Sequence, residues 1–253
     1  ADGRVERSTC CENTATEHAM MARLMIDSAV TWTRDYRIDS FRFDLMGHQP
    51  RAAMEILQRR VDAAAGRHVQ LIGEGWNFGE VADGRRFVQA SQLALGGSGI
   101  GTFSDRARDA LRGGGPGDSG ADKVARQGYL NGLVYAPNEL ADPALGRAEL
   151  LRSADLVRVG LAGTLRDYVR TTADGRTRAL HEIDYNGQPA GYAHAPGEVV
   201  NYVENHDNET LFDLNAFRLP RDTAAHDRAR VQALGMAFTA FSQGVAYFHA
   251  GID

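Results

Sequence analysis

The sequence predicts an α/β fold with a parallel sheet built from successive βα units. Short runs of β-type residues alternate with segments of helical period, and the connections between them are short. A chain of 253 residues, 43% hydrophobic and 24% charged, is typical of a soluble globular domain with a sizeable core. Disordered and fibrous classes are therefore excluded.

The first part of the chain predicts helix, strand, helix and strand in that order. Residues 1–13 are polar and predict a loop, after which Thr14 and Glu17 have capping-box spacing at the start of a helix. One stripe of that helix is formed by Met21, Leu24, Met25, Ser28 and Trp32. A strand begins at Ile38, and Pro50 and Gly66 bound a second helix with helical spacing at Met54, Leu57 and Val61. Residues 69–74 predict the next strand.

The second part predicts three further strands and a long connection. Strands are predicted at 100–105, 199–204 and 245–249, and a helix at 223–242 with one side formed by Val231, Leu234, Phe238 and Phe241. The connection, about 106–198, holds a glycine-rich loop at 113–120 and a helix at 148–161. We assign residues 1–253 to a single domain in which this connection is an elaboration.

Charge and composition exclude several classes of partner. The chain has 28 basic and 33 acidic residues, a net charge of −5, which predicts no binding to nucleic acid or to an anionic membrane. No apolar run approaches the roughly 20 residues of a membrane span, and the start shows no signal peptide. Cys10 and Cys11 are adjacent, so we interpret them as structural or incidental, with a strained vicinal disulfide as the alternative. The cell compartment stays open.

The stretch 38–48 places an arginine and an aspartate on one side of an apolar strand. Side chains alternate along a strand, so Arg42 and Asp44 point one way while Phe41 and Phe43 point the other. For this stretch alone, a structural ion pair is the simpler interpretation.

Three carboxylates follow three different predicted strands: Asp44, Glu74 and Asp207. The carboxyl ends of parallel strands are where α/β folds assemble active sites. Any one acid at a strand end is ordinary, but the three together, with Arg42 and His206, predict an active site.

Two such carboxylates suit cleavage of a glycosidic bond, which needs one acid and one nucleophile. We assign the nucleophile to Asp44, which Arg42 keeps ionised, and the general acid to Glu74, which Trp76 and Phe78 push toward its neutral form.

Three motifs then resemble, in order, signatures of the α-amylase superfamily in the form carried by pullulanases and limit dextrinases. They are FRFDLMGH at 41–48, GEGWNFGE at 73–80 and VNYVENHDN at 200–208, with further similarity at 6–17 and at TFSDRAR, 102–108.

The resemblance implies a role for each matching residue. Asp44 is the nucleophile, Glu74 the general acid and base, and Asp207 the third acid that binds sugar hydroxyls, with Arg42 and His206 as helpers. The other candidate substrate-binding residues are Trp76, His48, Phe78 and Asn208. Trp76 either stacks on a sugar or is partly buried packing. The implied reaction is retaining hydrolysis of α-1,6-glucosidic branches in pullulan, limit dextrins or amylopectin, and the partner is an α-glucan polysaccharide or oligosaccharide.

The resemblance also implies a partial (β/α)8 TIM barrel, strands four to eight, with the elaborated connection between strands six and seven. The front strands and their aspartate and asparagine-histidine motif are not found upstream of Asp44. We therefore expect the isolated chain to be weakly active or inactive, and to self-associate through exposed sheet edges.

Two alternatives stay open: an α-1,4-acting or transglycosylating member of the superfamily, and a non-catalytic carbohydrate-binding or assembly module. The three acids in order argue against the module. No cofactor is expected for catalysis and no metal ligands are assigned, although the resemblance suggests a structural calcium ion.

Overall fold

The computed structural model describes residues 5–7 and 12–253, which form two compact units that divide between Phe103 and Ser104. Cys10 and Cys11 lie outside the described residues. An α-helix precedes each of the first two strands in the first unit, and both types of element recur in the second, so the predicted α/β class is confirmed. In the described part of the chain, no helix is long and apolar enough to cross a membrane.

The first unit contains a parallel sheet and two helices that share one hydrophobic core with it. Its elements are α1 (Ala19–Tyr36), β1 (Ser40–Phe43), α2 (Arg51–Ala65), β2 (Gln70–Gly73) and β3 (Gly101–Phe103). β2 pairs in parallel with both β1 and β3, in a register that places Phe43 opposite Gly73. The predicted parallel sheet is therefore present in this unit, and its strands end at the residues that precede the candidate carboxylates.

The second helix and the apolar side of β1 form the core of the first unit as predicted. Met54, Leu57 and Val61 are completely buried, and Phe41 and Phe43 pack against the same cluster. Pro50 precedes the helix, and Gly66 ends it in the left-handed conformation, φ +68°.

The first helix differs from its prediction in its start and in its buried face. It begins at Ala19, because the residues before it form a turn in which the Thr16 side chain bonds the Gln49 side chain. Its buried side chains are Ile26, Ala29 and Thr33, whereas Leu24 and Trp32 of the predicted stripe are exposed.

The second unit contains five helices and three pairs of short strands among its described residues. The helices are α3 (Asp105–Arg112), α4 (Ala121–Ala125), α5 (Arg147–Leu161), α6 (Leu211–Arg218) and α7 (Ala225–Phe241). The strands are β4 (Val169–Thr171), β5 (Thr177–Ala179), β6 (Asp184–Tyr185), β7 (Gln188–Pro189), β8 (Val199–Asn201) and β9 (Val245–Ala246). β8 and β9 pair in parallel, whereas β4 with β5 and β6 with β7 form antiparallel hairpins.

Two helices of this unit correct the sequence-based description. α6 was not predicted, although Thr210 caps it by accepting a hydrogen bond from the Asp213 amide at 3.2 Å, a spacing visible in the sequence. α7 buries Gly235, Phe238 and Thr239, while Phe241 of the predicted side is 80% exposed. The reason is Gly235: a Cβ there would lie 2.5 Å from Leu211 Cδ2, so the closest packing is centred on that glycine.

Candidate active site

The first two candidate carboxylates lie side by side at the ends of β1 and β2. Phe43 and Gly73 are paired in the parallel register, so the next residues, Asp44 and Glu74, emerge at the same edge. The Glu74 amide donates to the Phe43 carbonyl at 3.1 Å, which continues the pairing by one residue. Backbone pairing therefore brings these two predicted residues together.

One guanidinium lies between the two carboxylates. Arg42 Nη1 contacts Asp44 Oδ1 at 2.5 Å, and Arg42 Nη2 contacts Glu74 Oε1 at 2.8 Å. The second oxygen of Glu74 accepts the Leu45 amide at 2.9 Å. The Glu74 side chain is only 3% exposed, whereas the Asp44 side chain is 64% exposed. Arg42 thus joins a buried carboxylate to one that is open to solvent.

The surroundings of Glu74 differ from those that the sequence suggested. The sequence predicts Trp76 and Phe78 beside the Glu74 carboxyl group, but the contacts of that group are the Arg42 guanidinium and the Leu45 backbone N–H. The reason is the register of β1 and β2, which places Arg42 beside both acids. The assignment of Glu74 as general acid stays a prediction.

Glycines let the two strand ends approach closely. A Cβ at Gly47 would lie 2.1 Å from the Trp76 carbonyl oxygen, and a Cβ at Gly73 would lie 2.7 Å from Met46 Cβ. A Cβ at Gly75 would lie 2.7 Å from the amide nitrogen of Gln92. The Gly47 amide donates to the Glu74 carbonyl at 2.8 Å. Backbone packing therefore fixes the turn after Asp44 against the segment that carries Glu74.

Two of the candidate substrate-binding side chains, Trp76 and His48, differ in how deeply they are buried. Trp76 is half-buried, with its backbone against Gly47, and the choice between sugar stacking and packing stays a prediction. His48 is buried and meets Phe78 edge-to-face, with ring centroids 4.7 Å apart. Burial lowers the pKa of His48, and the nearby charge of Glu80 partly opposes this effect.

We expect His48 to make the protein less stable in mild acid. Its folded pKa lies below its ordinary value of 6.5, so the unfolded state binds more protons as pH falls. The stabilisation is present above that ordinary pKa and is lost toward the folded pKa, at up to about 1.4 kcal/mol per pH unit. Urea unfolding at about pH 7 and about pH 5 measures the change.

In His48→Gln, this component of the pH dependence should be absent, so the variant and the original protein should approach each other in stability as pH falls. The exposed His68→Gln controls for replacement of an imidazole without loss of buried contacts. An equal stability deficit of His48→Gln at both pH values would contradict the prediction.

The remaining candidates lie in the second unit, on the loop that follows β8. The Asp207 amide donates to Asn205 Oδ1 at 2.8 Å, and His206 Nε2 lies 3.9 Å from Asp207 Oδ1. Both side chains are exposed, and Asn208 follows them in the left-handed conformation, φ +63°. A turned backbone therefore presents His206 and Asp207 as neighbours on one loop.

The sequence did not single out Glu204, which anchors the start of this loop. Its buried carboxylate accepts the Leu211 amide at the start of α6 and contacts His249 Nδ1, 3.1 Å from Oε1. The only signal in the sequence was its position directly before the Asn205-His206-Asp207 run. Glu204 thus ties the loop to α6 and to the segment after β9.

Residues 5–7 and 12–253 hold no group of three or more His, Cys, Asp or Glu side chains that could bind a metal ion. The structural calcium ion stays a prediction without assigned ligands.

Comparison with known proteins gives consistent matches over almost the whole chain. The chain is 45% identical over 251 residues to a pullulanase of Klebsiella pneumoniae, covering 99% of this chain and 22% of that protein. It is 40% identical over 261 residues to the chloroplastic pullulanase 1 of Arabidopsis thaliana, covering 99% of this chain and 27% of that protein. The chain therefore spans about a quarter of the length of these relatives. No family model matches it.

Solved structures give the same result. The maltotriose complex of a pullulanase from Klebsiella pneumoniae superposes with a TM-score of 0.93 at 45% identity, over 99% of this chain and 26% of that one. A pullulanase variant from Paenibacillus barengoltzii, also complexed with maltotriose, gives a TM-score of 0.72 at 28% identity, over 100% of this chain and 33% of that one.

Proposed function

We propose, because the chain is homologous to a segment of the pullulanases over 99% of its length, that it carries the catalytic residues of a debranching glycoside hydrolase. The proposed reaction is retaining hydrolysis of α-1,6-glucosidic linkages in pullulan, limit dextrins or amylopectin. The observation that carries the proposal is the guanidinium of Arg42 between Asp44 and Glu74.

In this proposal Asp44 is the nucleophile. Its exposed carboxylate, ionised by contact with Arg42, attacks the anomeric carbon and forms a glycosyl ester, while Glu74 gives its proton to the leaving oxygen. Asp44 loses its negative charge in this step as Glu74 gains one. Arg42 touches both groups, so it is placed to stabilise the charge before and after the transfer. Water then attacks the ester, with Glu74 as the base.

The retaining outcome is the part of the proposal that the resemblance supplies. Retaining glycosidases hold the two carboxyl groups about 5 to 5.5 Å apart, whereas inverting enzymes separate them by about 6.5 to 9.5 Å to admit a water. Contact with one guanidinium keeps Asp44 and Glu74 near each other, and the configuration of the first product distinguishes the two outcomes.

The other candidates complete the proposal. Asp207 is the third acid and His206 its neighbour in sugar binding, with Asn208, Trp76, Phe78 and His48 as further candidate substrate contacts. Both solved pullulanases described above hold maltotriose, which supports an α-glucan oligosaccharide as the ligand of this chain. The assignment to one domain, the numbering of the strands as four to eight of a barrel, and self-association all stay predictions.

We expect the isolated chain to hydrolyse pullulan weakly or not at all, because it spans only about a quarter of the length of the pullulanases that it matches. The decisive assay uses a hybrid in which this chain replaces the matching segment of the Klebsiella pneumoniae pullulanase. The hybrid should release reducing ends from pullulan, and the first product should have the α configuration by NMR.

Other outcomes of this assay separate the alternatives. Robust pullulan hydrolysis by the isolated chain would contradict the expectation of weak activity. A folded hybrid that cleaves linear amylose but not pullulan would support the α-1,4-acting alternative. A folded hybrid that binds pullulan without cleaving it would support the carbohydrate-binding module.

A further inference from the structure

Arg112, the last residue of α3, points its guanidinium at backbone rather than at the surface. It is 8% exposed, and it follows the 102–108 motif for which the proposed reaction has no use. Its Nη1 donates to the Val203 carbonyl and its Nη2 to the Glu209 carbonyl, each at 2.6 Å.

These two carbonyls bracket the loop that carries His206 and Asp207. A planar guanidinium donates in two fixed directions, so one side chain sets the separation of the two ends of the loop. Arg112 is itself held in place, because its own carbonyl accepts hydrogen bonds from Arg218 at 2.6 Å and from Asn131 at 2.9 Å. The loop is therefore fastened to a buried polar network.

Burial of the Arg112 guanidinium against backbone carbonyls costs free energy of folding. A buried cation that meets neutral carbonyls loses its hydration without the full return of an ion pair. Burial and the neighbouring charge of Arg108 lower the pKa of Arg112 to about 10, so it still carries its charge at neutral pH. We therefore expect a buried guanidinium of this kind where the function of the protein depends on the position of the backbone that it contacts.

We propose that Arg112 is a positioning residue, which clamps both ends of the 204–208 loop and so orients His206 and Asp207. That this orientation serves catalysis rests on the proposed function; the clamp itself does not.

Arg112→Lys tests the clamp, because an ammonium group cannot reproduce the fixed fork. Amide hydrogen exchange of this chain should become at least about tenfold faster in residues 204–210, with α7 unchanged. The imidazole NMR signals of His206 should shift, while those of His226 on α7 should not. The matched control is Arg170→Lys, which removes a guanidinium that contacts Asp155 at 2.9 Å in the same unit. It should leave residues 204–210 and His206 unchanged.

Unchanged exchange in residues 204–210, or an equal increase across α7, would overturn the proposal. If Arg112→Lys does not fold, Arg112→Gln, which keeps a side-chain N–H donor, is measured with the same two outcomes. Hydrolysis enters neither measurement, so failure of the clamp and failure of the proposed function are distinguishable.

Discussion

Asp44→Asn is expected to lower kcat for pullulan by about 10⁴-fold in the hybrid enzyme, because the amide cannot form the glycosyl ester. Substrate binding should change much less, since asparagine keeps the size of the side chain and Arg42 keeps its contact with Glu74. The measurement is steady-state hydrolysis of pullulan, with binding of maltotriose measured separately. A mechanism-based glucoside should label Asp44 in the parent hybrid and leave the variant unlabelled.

The matched control is Asp39→Asn, at the opposite end of the same strand. The Asp39 side chain is 85% exposed and pairs with Arg67 on the surface, so its loss should leave kcat within about twofold. The assignment of the nucleophile is wrong if Asp44→Asn retains most of the rate, or if the covalent label falls on another carboxylate.

Gly47→Ala is expected to lower the stability of the protein substantially. Its Cβ would lie 2.1 Å from the Trp76 carbonyl oxygen, which belongs to the backbone and cannot rotate away. We expect a loss of about 3 kcal/mol in the free energy of unfolding. For a chain of this length that loss corresponds to a melting temperature about 6 to 12 °C lower. Thermal unfolding followed by circular dichroism measures it.

Gly117→Ala is the matched control, because a Cβ at that glycine meets nothing within 4 Å. It should change the melting temperature by no more than about 2 °C. Equal melting temperatures for the two variants would show that the turn after Asp44 can move away from Trp76, contrary to the packing described above.

The sequence predicted those parts of the fold that depend on the spacing of residues within one helix or strand. The buried stripe of α2 repeats at helical spacing between Pro50 and Gly66, and β1 alternates polar with aromatic residues. The position of carboxylates directly after strands predicted that Asp44 and Glu74 would meet, because parallel strands end at one edge.

The parts that it missed depend on contacts between distant segments. The buried face of α7 depends on the close packing of Gly235 against Leu211. The spacing of apolar residues within the helix does not show this contact. Arg42 reaches Glu74 as well as Asp44 only because of the strand register. Arg112 donates to the backbone carbonyls of Val203 and Glu209. Because every residue type has the same backbone carbonyl, these contacts could not be predicted from the sequence.

The glycines at 47, 73 and 75 have a consequence for reading related genomes. A Cβ at Gly47 would meet the backbone of the segment that carries Glu74, and a Cβ at Gly73 would meet the Phe43 carbonyl next to Asp44. A Cβ at Gly75 would meet the Gln92 amide nitrogen instead. A relative that keeps both acids but carries a larger residue in place of Gly47 or Gly73 is therefore expected to hold the two acids in a different relative position. The glycines, as well as the acids, define the geometry of this site.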